Sequence, residues 1–365
     1  MTGPQPDRPF ELLRDVPLAP LCTLGVGGLA RHYVRVRDRA EAAAAAAWAR
    51  ERSLRPFVLG GGSNLVVADD GYPGLVIHLD LRGVAAAEEN GSVLVTAAAG
   101  EEWDPLVERC VGQGWAGLEC LSGIPGRVGA TPIQNVGAYG QDVSETVERV
   151  ECLDLASGAA IALSGAECGF AYRDSRFKRD DAGRFLITSV SFRLRPGGPP
   201  SVRYAELEQT LRDAGVDRPT LADVRRTVVG LRRRKSMVID ADDENRRSVG
   251  SFFMNPTVAP EQADRVRARA GGGSMPAFPA ADDRVKLSAA WLIERAGLTR
   301  GHAEGPVGLS TRHTLAIVNR GGATARQIVD FARRVRDRVR ERFDVVLRPE
   351  PVFLNLDFEN AGGPS

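Results

Sequence analysis

Short apolar runs, separated by polar or glycine-rich turns, fill the first half of the chain. Residues 57–59, 65–67 and 75–77 have the length and flanking turns of buried strands. Residues 93–97 predict another strand, and 187–194 alternate apolar and polar positions as a half-buried strand does. The pattern therefore predicts a β-rich region before residue 195.

Helical spacing of apolar residues begins early and dominates the second half. It predicts helices over 104–112, 221–234, 289–296 and 328–343, the first ending at a glycine and the third just before one. Strands and helices of these lengths are typical of an α/β or α+β protein.

Turn-forming residues divide this pattern further. A hairpin is predicted over 150–162, around Ser157-Gly158. The proline–glycine patch at 196–200 predicts a first domain boundary, and the glycine run at 271–273 is a second break. A chain of 365 residues is expected to form two or three such units.

Composition and charge exclude several classes of protein. The net charge of +1 gives no general reason for binding nucleic acid or a membrane. Residues 1–9 lack the basic and apolar regions of a signal peptide, and no apolar run is long enough to span a bilayer. The five cysteines show no C-x-x-C pair and the four histidines no metal-ligand spacing, so we expect free thiols and no protein-bound metal.

The basic residues are unevenly distributed. Lys178, Lys235 and Lys286 are the only lysines among 48 basic residues. A bias toward arginine codons explains this scarcity, and the alternative is that these three positions need an ammonium. The basic segments 225–226, 232–235 and 246–247 suggest a nucleic-acid-binding module, but the acidic residues between them favour a solvated face.

Two glycine-rich segments are the strongest candidates for binding. Gly60-Gly61-Gly62-Ser63-Asn64 follows a predicted strand directly, so its backbone N–H groups and the Ser63 and Asn64 side chains can surround a phosphate. The second segment, 122–140, has glycines at 123, 126, 129, 137 and 140, which allow the backbone to approach a flat ligand. These two loops, each after a short strand, suit a diphosphate-containing cofactor bound outside a Rossmann fold. The cluster Gly25-Val26-Gly27-Gly28 is only a weak Rossmann signal, because it lacks the last glycine of G-x-G-x-x-G and a preceding apolar strand.

Six motifs then follow one another along the chain. They are GGGSN at 60–64, the segment 117–140 beginning Gly-Leu-Glu, FAYRDS at 170–175, GSFFMNP at 250–256, the segment 286–297 beginning Lys-Leu, and RPE at 348–350. Together they closely resemble the UDP-N-acetylenolpyruvoylglucosamine reductases, flavoenzymes of peptidoglycan precursor synthesis. The resemblance runs from about residue 21 to residue 354.

The resemblance implies a fold and a domain plan. The fold is α+β, with a vanillyl-alcohol-oxidase-type (PCMH) FAD-binding region of two subdomains and an α+β substrate-binding domain. The implied ranges are 1–70, completed by about 326–365, for the first subdomain, 71–200 for the second, and 201–325 for the substrate domain. A cytoplasmic location follows from the same resemblance.

The resemblance also implies a noncovalently bound FAD and NADPH as the hydride donor. Gly60, Gly61, Gly62, Ser63 and Asn64 match the first FAD loop. Further FAD contacts are implied for the second loop, from Ser122, Ile124, Pro125, Gly126, Gly129, Ala130, Gln134, Asn135, Gly137, Ala138 and Tyr139.

Three residues match the family's catalytic positions. Arg173 matches the guanidinium that stabilises the enolate-like charge on the substrate carboxylate. Ser251 matches the proton donor to the carbon bearing that carboxylate, and Glu350 matches a residue that orients or protonates the developing carboxyl group. In isolation each has an ordinary structural explanation: one arginine among many, a strand start, and a surface carboxylate.

The implied substrate is UDP-N-acetylglucosamine enolpyruvate. The matching side chains are Tyr172, Tyr204, Lys235, Asn255, Lys286 and His313. The sequence departs from the family at two places. Phe278 replaces a tyrosine and so lacks a hydroxyl that could contact a phosphate, and Lys235-Ser236-Met237 replaces Lys-Leu-Pro, which changes the loop after Lys235. An FAD-dependent oxidase of an alcohol or sugar on the same fold is the alternative activity.

Overall fold

The structure, a computed structural model, describes residues 9–272 and 274–359. Three parts of the sequence predictions therefore lie outside the described residues: positions 1–8 of the polar amino-terminal segment, Gly273 of the glycine break, and the final residues 360–365. Within the described ranges, no helix combines the length and apolar character needed to cross a membrane.

The helices agree with the apolar periodicity. All four predicted helices are present, with boundaries shifted by a few residues at most. The α-helices of the described ranges are α1 (Arg39–Glu51), α2 (Trp103–Gly112), α3 (Ala205–Asp213), α4 (Leu221–Arg234), α5 (Pro260–Arg269), α6 (Ala289–Arg295) and α7 (Ala325–Phe343).

The strands confirm the five predicted apolar runs and the 150–162 hairpin, and they add many short segments that carry no clear pattern. They are β1 (Leu12–Pro17), β2 (Leu29–Val36), β3 (Pro56–Leu59), β4 (Leu65–Val67), β5 (Tyr72–Leu79), β6 (Val84–Glu89), β7 (Ser92–Ala98), β8 (Trp115–Ala116), β9 (Gly137–Ala138), β10 (Gln141–Asp142), β11 (Val147–Asp154), β12 (Ala160–Ser164), β13 (Phe185–Pro196), β14 (Ser248–Ser251), β15 (Thr257–Val258), β16 (Ala277–Pro279), β17 (Val285–Leu287), β18 (Ala303–Glu304), β19 (Val307–Leu309), β20 (Ala316–Asn319) and β21 (Val352–Leu354).

The chain divides into two compact units. The first unit contains Met1–Val16, Ala30–Gly62 and Tyr72–Arg233, and the second contains Pro17–Leu29, Ser63–Gly71 and Arg234–Ser365. In this division α3 and α4 belong to the first unit. The three-part division at residues 70, 200 and 325 remains a prediction.

The first unit contains two main sheets. One has the order β1-β2-β5-β3, in which β5 pairs parallel with both β2 and β3. The other has the order β12-β11-β13-β7-β6 and is antiparallel, with β8 also pairing with β13. Strand β3 ends at Leu59, so it delivers the chain directly into the first glycine-rich loop.

The core of the first unit explains its apolar runs. Side chains of both sheets, α1 and α2 pack into one cluster that includes Ile77, Trp103 and Phe192. A smaller cluster joins α3 and α4 to the second glycine-rich segment: Leu211 and Val228 pack with Cys120, just before the segment, and Tyr139 packs against them. The helices after the proline–glycine patch are therefore anchored beside the 122–140 loop.

The second unit has its own sheets and core. Its sheets have the orders β14-β20-β19-β18 and β15-β17-β16, and β21 pairs parallel with β4. Helix α7 buries Ile328, Phe331 and Val335 on one face, as its periodicity predicted. Residues from α6, α7, β14 and β19 meet in one apolar cluster.

The start of α7 shows how this unit fixes its longest helix. Thr324 and Gln327 form a capping box, in which each side chain bonds the other's backbone N–H group. Asp69 accepts hydrogen bonds from the N–H groups of Ala325 at 2.7 Å and Arg326 at 3.0 Å. These acceptors satisfy N–H groups that have no partner inside the helix.

Candidate functional site

The two glycine-rich loops meet inside the first unit. A Cβ atom built on Gly61 would lie 3.1 Å from the Gly126 Cα atom, closer than ordinary packing allows. Glycine at position 61 therefore permits the close approach to residue 126, and the two loops form a surface lined by backbone. Such a surface fits a dinucleotide, whose phosphates are bound by backbone N–H groups. Ser63 and Asn64 belong to the second unit.

The start of the second loop is held by buried hydrogen bonds. The Ser122 hydroxyl donates to the Glu119 carbonyl at 2.7 Å. Trp103 donates from its ring nitrogen to the Leu121 carbonyl at 3.1 Å and from its backbone to the Gly126 carbonyl at 3.1 Å. Residues 121–126, which include Ile124 and Pro125, are thus fixed at both ends.

Other predicted cofactor residues have identifiable structural roles. A Cβ atom on Gly129 would lie 2.6 Å from the Ala99 side chain, so Gly129 allows close packing within the core. Ala130 is exposed, Gln134 is partly buried, and Ala138 lies in the β9–β10 hairpin. Buried Asn135 donates to the Ala171 carbonyl at 2.9 Å and accepts from the Ser144 N–H at 3.1 Å, which ties the loop to the FAYRDS motif.

His78 lies beneath the first loop and was missed by the sequence analysis. Burial, with Arg35 and Arg127 nearby, lowers the pKa of His78 to about 4. The ring bonds the Gly60 backbone, and its Nδ1 atom lies 2.6 Å from the Tyr33 hydroxyl. A neutral imidazole has one donor and one acceptor. The Tyr33 hydroxyl can therefore donate to Nδ1 while the other ring nitrogen donates to the Gly60 backbone.

This environment predicts a pH-dependent stability. Between pH 6.5 and about 4 the unfolded chain binds a proton at His78 that the folded chain does not. The free energy of unfolding should therefore fall by about 2–3 kcal/mol as the pH falls through that window. Denaturant titrations at several pH values measure this. In His78→Gln the decrease of the unfolding free energy between pH 6.5 and about 4 should be smaller, whereas His302→Gln should show the same decrease as the parent. If the unfolding free energy of His78→Gln depends on pH as in the parent, the prediction is wrong.

Arg173 is fixed in place by the second loop. Its guanidinium donates to the Asn135 carbonyl at 3.3 Å, to Asp142 Oδ1 at 3.2 Å and to the Gly137 carbonyl. A Cβ atom on Gly137 would lie 1.6 Å from Asp142 Oδ1 and 2.7 Å from Arg173 Nη1, so only glycine leaves room for this ion pair. The predicted loop and the predicted arginine therefore form one structure.

Backbone strain is concentrated at the same place. Asn135, Tyr139 and Arg173 have φ angles of 45°, 49° and 55°, in the left-handed region that costs energy for side-chain-bearing residues. Lys178 donates to the Arg173 carbonyl at 3.2 Å. One of the three lysines thus supports the strained arginine.

Three predicted tyrosines surround Arg173 and the end of the loop. The rings of Tyr139 and Tyr204 pack edge to face with centroids 5.4 Å apart. The Arg173 guanidinium lies over the Tyr172 ring at 5.2 Å. Burial raises the pKa of Tyr204. The structure therefore groups Tyr139, Tyr172, Arg173 and Tyr204 within the first unit, with Tyr172 and Tyr204 partly accessible.

Ser251 and Glu350 lie close together within the second unit. Ser251 ends β14 opposite Ala316, and Gly250 before it has a φ of +75°, a left-handed conformation that favours glycine. The Glu350 N–H donates to the Phe252 carbonyl at 2.9 Å. Asn64 is in the same group, because its side chain donates to the Glu350 carbonyl at 3.4 Å.

The remaining substrate candidates also lie in the second unit. Asn255 accepts from the Ala289 N–H at the start of α6, at 2.9 Å. Lys286 lies on β17, opposite Thr257 on β15 and Phe278 on β16. Phe278 is 45% exposed, so the missing hydroxyl is at an accessible surface and not in the core.

A buried network explains the Ser236-Met237 departure. Asn245, 2% exposed, donates to Ser236 Oγ at 3.3 Å and to Thr311 Oγ1 at 3.0 Å, and accepts from the Thr311 N–H at 3.0 Å. Ser236, at the position of the family's leucine, has a φ of 55°, in the left-handed region. The segment after Lys235 is thus tied to the loop that contains His313 by polar contacts.

Within the described ranges, no group of three or more His, Cys, Asp or Glu side chains could hold a metal ion. The five cysteines are buried and unpaired, and burial raises their pKa values, to about 12 for Cys22, Cys110, Cys120 and Cys152 and about 11 for Cys168. Such thiols are unreactive.

Comparisons with known proteins agree with this arrangement. Residues 30–164 match the model of an FAD binding domain, and residues 242–354 match that of the UDP-N-acetylenolpyruvoylglucosamine reductase, C-terminal domain. A reductase of that name from Thermobifida fusca is 49% identical over 94% of this chain and 98% of its own length. The chain belongs to the UDP-N-acetylenolpyruvoylglucosamine reductase family.

Further members support the same assignment. The reductase from Chromobacterium violaceum is 44% identical over 94% of this chain and 99% of its own length. The crystal structure of the Thermus caldophilus reductase has a TM-score of 0.63 and 27% identity, and covers 94% of this chain and 98% of that one. The predicted fold, with its PCMH FAD-binding region, is thereby confirmed, and the chain is an FAD-binding oxidoreductase.

Proposed function

We propose that this protein uses NADPH to reduce UDP-N-acetylglucosamine enolpyruvate to UDP-N-acetylmuramate, a cytoplasmic step of peptidoglycan precursor synthesis. Family membership across nearly the whole chain supports the reaction. The observation that carries the proposal is the constrained Arg173, held by Asn135, Asp142 and Gly137 at the end of the backbone-lined loop.

FAD, when bound, would supply the hydride chemistry between NADPH and the enolpyruvyl methylene carbon. The chain's part is to hold and orient the reactants and to control charge and protons. We assign FAD binding to the two glycine-rich loops, because they approach each other at Gly61 and Gly126, where glycine has no side chain to cover the backbone N–H groups.

Arg173 is assigned to the substrate carboxylate. Hydride addition puts enolate-like charge on that group, and a planar guanidinium can donate two parallel hydrogen bonds to it. Because Arg173 is already fixed by Asn135, Gly137 and Asp142, little reorganisation is needed when the charge develops.

Ser251 is assigned as the proton donor, and Glu350 as the group that orients or protonates the carboxyl. A serine hydroxyl is a weak acid, but an enolate carbon is a strong base, so a correctly positioned hydroxyl is sufficient. The half-buried position of Ser251 and the hydrogen bond from the Glu350 backbone to Phe252 support these roles.

Lys286 is assigned to the UDP diphosphate and gives a testable prediction. An ammonium is compact, whereas a guanidinium is a larger planar fork, so Lys286→Arg should fit the same anion poorly. We expect the KM for the enolpyruvyl substrate to rise about tenfold, with kcat changed by less than about threefold. Arg267→Lys, at an exposed pair with Asp264 on α5, is the control. Equal KM values in Lys286→Arg and the parent would show that Lys286 does not bind the diphosphate.

An FAD-dependent oxidase of an alcohol or sugar is the alternative activity. The two are separated by supplying NADPH and the enolpyruvyl substrate without oxygen and analysing the products by mass spectrometry. The proposal predicts a product with two added hydrogens and no need for oxygen. Turnover that requires oxygen, with the enolpyruvyl group unchanged, would favour the oxidase.

A further inference from the structure

Two arginines of α4 face the second glycine-rich loop. Arg225 and Arg232 are seven residues apart, two helical turns, so they project from the same side of α4. The acidic residues near this arginine-rich segment predict a solvated face. The structure shows that a solvated face is wrong for these two residues: Arg232 bonds the loop directly, and Arg225 bonds Asp104 of α2, which in turn bonds the loop.

Both backbone polar groups of Gly123 are bound by this arrangement. The Gly123 N–H donates to Asp104 Oδ1 at 2.6 Å, and the Gly123 carbonyl accepts from Arg232 Nε at 3.2 Å. Arg225 donates two hydrogen bonds to Asp104, at 2.6 and 3.0 Å. Gly123 has a φ of 72°, so the contacts hold a conformation that other residues rarely adopt.

The ion pair is mostly shielded from water. The side chain of Arg225 is 14% exposed and that of Asp104 is 34% exposed. Burial by itself would raise the pKa of Asp104, but hydrogen bonds from Arg225 and the Gly123 N–H outweigh it and lower the pKa. Burial lowers the pKa of Arg232 to about 10, so it is still protonated at neutral pH.

We propose that Asp104, Arg225 and Arg232 are positioning residues that hold the 122–126 segment in its FAD-binding conformation. The inference rests on the proposed assignment of that segment to FAD. A segment held in advance loses little conformational freedom on binding, so the cofactor binds more tightly. Charged partners make such hydrogen bonds stronger than neutral ones.

The test is a double-mutant cycle measured on FAD affinity. Asp104→Ala, Arg225→Met and the double variant are compared with Arg226→Met, whose side chain is exposed on the same helix and pairs with Asp223. The dissociation constant is measured by flavin fluorescence on FAD-free protein. Melting of the same FAD-free proteins separates loop positioning from general folding.

We expect each single variant to weaken FAD binding at least about tenfold, and the double variant to weaken it little further, because both residues act through Gly123. Arg226→Met should change the constant by less than about twofold. The FAD-free melting midpoints should stay within about 3 °C of the parent.

Unchanged FAD affinity in both single variants would overturn the inference, as would additive losses in the double variant. If a methionine variant does not fold, Arg225→Lys decides: it keeps the charge but loses the bidentate geometry, so it should still weaken FAD binding. A parent that binds FAD but does not reduce the enolpyruvyl substrate would refute the proposed function alone.

Discussion

Ser251→Ala is expected to slow reduction of the enolpyruvyl substrate by at least about 100-fold, because general acid catalysis contributes factors of this size. Reduction of the flavin by NADPH should continue at the parental rate, since that step needs no proton from Ser251. Stopped-flow absorbance measures the two half-reactions separately. The environment of the neighbouring Phe252, which is fully buried, should be unaffected because only one oxygen is removed.

A matched control is available in the first unit. Ser157 lies exposed in the hairpin turn, so Ser157→Ala should leave both half-reactions at parental rates. If Ser251→Ala reoxidises its flavin with the enolpyruvyl substrate as quickly as the parent, then Ser251 is not the proton donor. Equal slowing of both half-reactions would indicate a distorted site instead, and would also refute the assigned role.

Arg173→Lys is expected to lower kcat by about 100-fold although the charge is kept. The guanidinium bonds Asn135, Gly137 and Asp142 at once, and a lysine ammonium cannot reproduce that planar geometry. The loss should appear in the second half-reaction, where charge develops on the substrate carboxylate. The rate of flavin reduction, measured per bound flavin, should be close to parental.

Arg179→Lys is the control for this change. Arg179 lies six residues further along, is 41% exposed and pairs with Asp174. Arg179→Lys should therefore leave kcat nearly unchanged. An Arg173→Lys protein with parental kcat would show that a simple positive charge is sufficient. A loss confined to NADPH-dependent flavin reduction would show that Arg173 acts on the other substrate.

The elements with strong periodicity could be predicted from the sequence. Helix α7 repeats apolar residues at helical spacing, and β13 alternates apolar and polar residues from Val190 to Arg195. Two-residue strands such as β8, β9 and β15 have no pattern of their own, because pairing with distant segments creates them. Propensity does not contain such long-range information.

The candidate site was predicted in part. The glycine loops and Arg173 followed from motifs, but the reason that Gly137 must be glycine appears only when Asp142 and Arg173 are seen beside it. Asn245 and Asp104 were missed, because their partners Thr311 and Arg225 lie 66 and 121 residues away. Arg225 shows the limit most clearly: a charged run predicts exposure, and tertiary contacts reversed that prediction.

The three lysines differ in what the structure shows of their partners. Lys178 has a structural partner in the Arg173 carbonyl, which any cation of the right length could bind. Lys286 and Lys235 keep their assignments to the diphosphate as predictions. The scarcity of lysine by itself therefore does not identify a site, and Lys286→Arg is the more informative test.

The most direct test of the central claim is an anaerobic half-reaction. The protein with bound FAD is first reduced with one equivalent of NADPH and then mixed with UDP-N-acetylglucosamine enolpyruvate, while flavin absorbance is recorded. The account predicts that the oxidised flavin spectrum returns without oxygen and that one equivalent of UDP-N-acetylmuramate is formed. A flavin that stays reduced until oxygen is admitted, with the substrate unchanged, would contradict it.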